Sequence, residues 1–305
     1  MSLETFCYGE HALQTVTVAN LHPAPTLHDA ETVTRTEPAY WVILIHGGAW
    51  RDPTQTSTSY LKPALEILRT SSSSPSIPIT HLAAISYRLS AHPSHPQDPS
   101  SEPSTTPRDA KHPDHLDDIH TALSLLQTKY KFGGNYVLVG HSCGATLAFQ
   151  AVMSGLSSQK GSGYAAPVAI LGMAGIYDLR LLRDFHRDIS AYQDFIEGAF
   201  GSDESVWDSA SPAVVTGKEG VEGWESGKLV VLAHSSDDEL CDLAQSSKMK
   251  ETLTVWVNDG EERREVHFLS IKGQHDEAWE KGEELARGIV FTVEKLQELS
   301  SVPRK

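Results

Sequence analysis

Short runs of β-branched and aromatic residues recur along the chain, separated by longer stretches whose apolar positions fall at helical spacing. The runs at 14–20, 40–45, 82–87, 135–139, 167–171, 228–233 and 265–271 read as strands, most of them apolar enough to be buried on both faces. Between them, 114–130 places Leu116, Ile119, His120, Leu123 and Leu126 on one face of a helix, and 277–299 reads as an amphipathic closing helix. Residues 253–257 fit either a helix end or a strand. This alternation predicts an α/β fold, a mostly parallel central sheet flanked by helices on both faces.

Two segments break the pattern. In 70–78 and 91–113 Pro and Ser dominate, joined in the second by His, and apolar residues nearly vanish. Such composition buries too little apolar area to offset the ordering of the backbone, so both read as loops or disorder. The second segment, a Pro/Ser/His-rich insertion, reads as a solvated surface excursion. Its neighbourhood holds His92, His95, His112 and His115, but flexible Pro-rich spacing does not fix a metal tetrahedron, and no metal is expected. Neither segment separates two strand-rich halves, so residues 1–305 are read as one domain.

Composition narrows the function classes. The net charge of −15 repels phosphate backbones and anionic lipid surfaces, which argues against nucleic-acid and membrane partners. No stretch approaches the length of a membrane span, and the acidic first residues lack the pattern of a secretory signal. Cys7, Cys143 and Cys241 are odd in number and irregular in spacing, which fits free thiols in a reducing, cytoplasmic setting. Whether the chain forms a homodimer is left open.

The chemistry gathers around three places. Gly140-His141-Ser142-Cys143-Gly144 follows an apolar strand and precedes a helical start, the context a nucleophile elbow needs: a turn so tight that its flanks must be small, with the serine held strained above the sheet. Cys143 beside it invites a thiol mechanism, but the elbow presents its central residue, Ser142. His46-Gly47-Gly48-Ala49-Trp50 leaves another strand, and the backbone amides of Gly47 or Gly48, with that of Cys143, are suited to hold a developing oxyanion. Trp50 is either a packing aromatic or a substrate contact.

A serine nucleophile needs a histidine to take its proton and an acid to orient that histidine, in the chain order serine, acid, histidine. Of fifteen histidines only His267 and His275 follow a plausible acid after Ser142, and His267 lies inside a strand. His275, in a Gly-containing turn, can reach over the sheet edge. For the acid, the loop after His234 offers Asp237 and Asp238; Asp238 has cleared the strand end and is favoured, with Asp178 as fallback. The carboxylates of 237–239 face different ways as a metal site would not allow, and 259–264 reads as a solvated turn.

Taken in order, HGGAW at 46–50, Tyr87-Arg88-Leu89-Ser90, His112-Pro113 with Leu116 and Asp118, GHSCGA at 140–145, Gly175-Ile176-Tyr177-Asp178-Leu179, Ser211-Pro212, DDEL at 237–240 and QHD at 274–276 resemble the eukaryotic kynurenine formamidases. The resemblance covers roughly 40–275 and implies an α/β-hydrolase fold. It places the family's triad on Ser142, Asp238 and His275 and its oxyanion loop on Gly47 and Gly48. The 91–113 segment departs from a shorter family loop. The resemblance further implies hydrolysis of a small molecule, N-formyl-L-kynurenine, to L-kynurenine and formate in tryptophan degradation toward NAD, without metal or other cofactor. Two rivals are a carboxylesterase of the hormone-sensitive-lipase-like type, which would share every catalytic residue, and a silent ligand receptor, which would typically lose one.

Overall fold

The computed structural model describes residues 3–21, 39–71, 78–98, 100–157, 163–258 and 263–301. Eight strands form one sheet: β1 (Glu4–Cys7), β2 (Thr15–Asn20), β3 (Tyr40–Ile45), β4 (Ile79–Ser86), β5 (Tyr136–His141), β6 (Ala169–Met173), β7 (Leu229–Ser235) and β8 (Glu265–Ile271). Their spatial order is β1-β2-β4-β3-β5-β6-β7-β8. β1, β2 and β4 pair antiparallel, and every pairing from β4 to β8 is parallel. The helices are α1 (Ser57–Ser71), α2 (Asp114–Tyr130), α3 (Cys143–Gln150), α4 (Leu179–Phe185), α5 (Ser190–Phe200), α6 (Glu204–Ala210), α7 (Leu243–Asn258), α8 (Glu277–Glu280) and α9 (Glu283–Ser301).

Strand geometry points successive side chains to opposite faces, and the two cores follow from it. Trp41, Ile43 and Ile45 of β3 enter a core with α2, α3 and α7, whereas Tyr40, Val42 and Leu44 enter a second core with α1 and α9. The latter core takes the stripe Leu285, Ile289, Val293 and Leu296 of α9. Parallel strands covered this way need apolar residues on both faces, which is why β3, β5, β6 and β7 read as continuous apolar runs.

Several expectations are corrected. β1 was not foreseen: four residues at an edge, three of them exposed, carry too little pattern. The closing helix is two helices, α8 and α9, because Gly282 between them is left-handed (φ 76°) and a Cβ there would overlap the backbone of Pro63 in α1. Residues 253–257 are the end of α7. Residues 72–77 and 259–262 lie outside the described residues. Arg264, expected in a solvated turn, is buried with its guanidinium against the Trp256 ring and its Nη1 donating to the Trp256 carbonyl.

The 91–113 segment lies at the surface, most of its described residues exposed, and is tied down at several points. Its described residues have no helix or strand, yet side chains satisfy the backbone: Arg108 N–H donates to Gln97 Oε1 (2.6 Å), Arg108 Nη2 to the His95 carbonyl (2.7 Å), and Gln97 Nε2 to the Thr106 carbonyl (3.0 Å). The N-terminal residues clamp it from outside, with Ala12 N–H donating to the Thr105 carbonyl and His11 Nε2 to that of Pro107. Its three histidines and the neighbouring His115 do not converge. His92 and His95 touch edge to face, His112 packs on Phe200, and His115 is buried against Ser90. Beneath it, the buried Asp118 carboxylate receives Arg88 Nη2, Nε and backbone N–H as well as Gln14 Nε2, fastening β4 to α2.

Candidate active site

The segments leaving the C-terminal ends of β3, β5, β7 and β8 meet above the sheet. Ser142 occupies the turn between β5 and α3 with φ 55° and ψ −124°, a conformation that costs an L-residue energy and persists only where the surroundings enforce it. Here they do. A Cβ at Gly140 would overlap the Gly144 backbone, and one at Gly144 would overlap the carbonyl oxygens of Ile45 and His46. Ser142 N–H is tied to the Met173 carbonyl of β6 at 2.9 Å.

Asp238 and His275 come together across two loops, with His275 Nδ1 donating to Asp238 Oδ2 at 2.8 Å. The Asp238 side chain is only 1% exposed. Its Oδ1 accepts the backbone N–H groups of Leu240 (3.0 Å) and Cys241 (2.9 Å). Burial alone would raise its pKa. The hydrogen bonds from His234 and His275, the nearby imidazole and the Cys241 amide overcome that and hold the carboxyl well below the usual range. Asp237, by contrast, is exposed. Asp178 caps α4 through Leu181 N–H, and its own N–H donates to Gln245, so it is committed to structure. His267 pairs with Glu265 on β8.

His234 escaped the sequence reading, which took it only as the end of a strand. Its Nε2 donates to the Cys241 carbonyl (2.8 Å) and lies 3.4 Å from Asp238 Oδ2, while its Nδ1 accepts from Ser246 Oγ (2.7 Å). It therefore approaches the same carboxylate oxygen that His275 does. A further ring, His141, lies 4.6 Å from that of His275, and its Nε2 donates to the His275 carbonyl at 3.0 Å. Burial pushes the His141 pKa well down, so it stays neutral beside the ring that must accept a proton.

The loop 46–50 departs from expectation at its end. Gly48, Ala49 and Trp50 all have positive φ (92°, 49°, 58°), turning the chain back on itself. The Trp50 indole consequently points into the core, fully buried, edge-on to Phe200 at 5.0 Å, and does not line the cavity. Gly48 and Ala49 do line it. Gly47 is buried, and its missing Cβ lets the loop approach Ser142, whose own Cβ would stand 3.0 Å from it. Cys143 contributes a fastening: its Sγ accepts Trp50 N–H at 3.3 Å, and burial pushes the thiol up to about 11, leaving it protonated and unreactive near neutrality.

The alpha/beta hydrolase family pattern matches residues 42–272. The chain is also 42% identical to a kynurenine formamidase-like hydrolase of Fusarium equiseti, over 90% of this chain and 89% of that one. It belongs to the kynurenine formamidase family of α/β-hydrolases. A second relative, named kynurenine formamidase, from Aspergillus versicolor, is 36% identical over 81% of this chain and 86% of its own. Among solved structures, esterase B from Lactobacillus Rhamnosis superposes with a TM-score of 0.63 at 16% identity, covering 98% of this chain and 85% of that one. A carboxylesterase from Lactobacillus plantarum gives 0.60 at 16% identity over the whole of both chains. These two show the shared fold.

In this kynurenine formamidase relative, Ser142 and His275 open into one cavity of about 570 Å³. Its apolar wall comes from Ile176, Leu182, Ile189, Tyr192 and Phe195, largely α4, α5 and their connection; of these only Ile176 had been marked by sequence reasoning, as part of a motif and not as a wall of the site. Arg51, Asp52 and His92 form a polar wall. Among the described residues one cluster, His141, His275 and Asp276, has ligand atoms all within 4.8 Å of one another. However, His275 Nδ1 is held by Asp238 and His141 Nε2 by the His275 carbonyl, while a Cβ on Gly47 would stand 2.8 Å from His141 Nδ1. This donor set suits proton transfer better than a resident metal. Among the described residues no helix is long and apolar enough to cross a membrane.

Proposed function

We propose that the protein hydrolyses N-formyl-L-kynurenine to L-kynurenine and formate, an amide cleavage in tryptophan degradation. The observation that carries this reading is His275, fixed at Nδ1 by Asp238 and opening with the strained Ser142 into one cavity, in a chain 42% identical to a kynurenine formamidase-like hydrolase. Ser142 Oγ attacks the formyl carbon and His275 Nε2 takes its proton. The carbonyl electrons collect on oxygen, stabilised by backbone amides of the 47–49 loop and of Cys143. Collapse breaks the C–N bond as Nε2 returns the proton to the arylamine nitrogen, which is too poor a leaving group to depart unprotonated. Water, deprotonated by His275, then releases formate from Ser142. Throughout, Asp238 keeps the imidazole in one tautomer and stabilises its cation.

The apolar wall suits the aryl ring, and Ala49 lines the same cavity. A cytoplasmic location belongs to the same reading, supported by three unpaired cysteines. The test is release of L-kynurenine and formate from N-formyl-L-kynurenine by the wild type. Absence of turnover, or turnover retained in Ser142→Ala, would refute the assignment.

A further inference from the structure

Arg51 is set apart from the ion-paired arginines. Arg88 pairs with Asp114 and Asp118, Arg180 with Glu204 and Asp208, and Arg183 with Asp184 and Glu204. Arg51 lines the active-site cavity, and among the described residues its guanidinium has no carboxylate within 4.0 Å and no side-chain hydrogen bond. Its position is not accidental to the loop. Arg51 and Asp52 N–H both donate to the Gly48 carbonyl at 2.9 Å, so the turn that builds the oxyanion loop also aims Arg51 at the cavity. The guanidinium carbon lies 5.6 Å from the centroid of the Phe195 ring, which holds the cation without neutralising it.

Burial weakens the Arg51 cation and the Asp194 carboxylate, acting on it without an ion-pair contact, offsets this only in part, so a half-buried cation of this kind is costly in a folded protein unless something anionic arrives. Arg51 has such a vacancy beside an apolar wall, and its planar fork matches a carboxylate bidentately. The other groups facing this region are known. His92, from the 91–113 segment, is pushed below its ordinary pKa by burial and then by Arg51 and His95, which leaves Arg51 as the permanent cation of this wall. Asp52, Glu239 and Asp276 also line the cavity, so it carries both signs, as a zwitterionic amino-acid head requires.

We infer that Arg51 is the specificity-determining residue that binds the carboxylate of the substrate's leaving group, with His92 bringing the 91–113 segment against the same end of the cavity. This rests on the arylformamidase reading for the identity of the substrate. The carboxylate itself can be tested without it. The site is thereby selective for acylated arylamines or phenols that carry an anionic group on the departing side, and it disfavours neutral esters of similar size.

The experiment compares wild type, Arg51→Gln and Arg51→Lys on two substrate sets. With N-formyl-L-kynurenine, Arg51→Gln should raise KM about 10- to 100-fold with a much smaller change in kcat, and Arg51→Lys should fall between, keeping the charge but losing the fork. Inhibition by L-kynurenine should weaken in parallel, while inhibition by 2-aminoacetophenone, which lacks the amino-acid head, should weaken at least tenfold less. With 3-acetoxybenzoate against phenyl acetate, Arg51→Gln should lower the ratio of kcat/KM values about tenfold or more. If wild type fails to deformylate but this ratio still falls, the carboxylate anchor stands and the formamidase reading fails. An equal loss on charged and neutral partners, or no loss on either, would overturn the anchor.

Discussion

The elbow around Ser142 and the segment 91–113 lie close together and are built in opposite ways. The elbow is held by backbone against backbone, with glycines at 140 and 144 where any side chain would overlap carbonyl oxygens of β3 or the start of α3. The 91–113 segment is held by side chains reaching backbone groups, Gln97, Arg108 and His11 among them, over largely exposed ground. Steric exclusion tolerates nothing. Polar lacing tolerates substitution until enough laces are cut.

The strongest way to break this contrast is at the elbow. Ser142→Ala should lower kcat about 10⁴-fold or more in steady-state assays while the folded structure survives, because the oxyanion donors alone leave only residual catalysis. Gly144→Ala should instead destabilise the fold itself, by about 3 kcal/mol or more in urea melts, since the displaced atoms are backbone. A fully stable Gly144→Ala protein would show that the elbow is looser than its geometry states.

The acid comes next. Asp238→Asn should cost about 10³- to 10⁴-fold in kcat, whereas Asp237→Asn should stay within about twofold, because only the buried carboxylate holds His275. Its depressed pKa also predicts a sign. A carboxyl lowered on folding stabilises above its unfolded value, about 3.9, and loses that contribution only as pH falls through the lower folded value. Stability from Asp238 is therefore constant between about pH 5 and 8, and Asp238, ionised throughout, should add no slope of its own to the acid limb of kcat/KM. A slope of two would place Asp238 in the titration.

Cutting the laces gives a smaller effect. Removing 93–108 should raise KM for N-formyl-L-kynurenine about tenfold by freeing the His92 wall, with kcat changed by less than about threefold. Unchanged KM would return the segment to a surface excursion. The smallest effect is chemical: iodoacetamide at pH 8 should modify exposed Cys7 and spare Cys143, whose thiol is pushed up to about 11, so activity should persist. Mass spectrometry locates the label.

The same contrast explains what was readable beforehand. Ser142 could be found because the steric demand of its turn is written in five adjacent residues, and His275 because chain order left one histidine free. Trp50 stayed undecided between two options because the sign of φ at Ala49 and Trp50, on which the direction of the indole depends, is not encoded in residue type outside glycine. The seating of 91–113 was missed because its ties join residues far apart in sequence, such as Ala12 to Thr105, and leave no periodicity. The same limit hid Arg51 and His234, whose roles depend on which groups fail or manage to reach them. Motifs such as Tyr87-Arg88-Leu89-Ser90 were visible, but that Arg88 and Ser90 brace β4 against Asp118 and His115 required coordinates.

Among the described residues β8 lies at the edge of the sheet, pairing with β7 alone, and Phe268 on it is 45% exposed. The general base hangs from the far end of this strand, while the nucleophile sits at the end of β5, near the middle of the sheet. Local opening is cheapest where few contacts oppose it, so this margin should fray before the centre melts. Fraying would unload the base from an otherwise intact elbow. Thermal inactivation should then precede the loss of near-ultraviolet circular dichroism, and amides of β8 should exchange hydrogen for deuterium ahead of those in β5. Endurance of the enzyme in use is thereby decided at its rim, at residues that take no part in the chemistry.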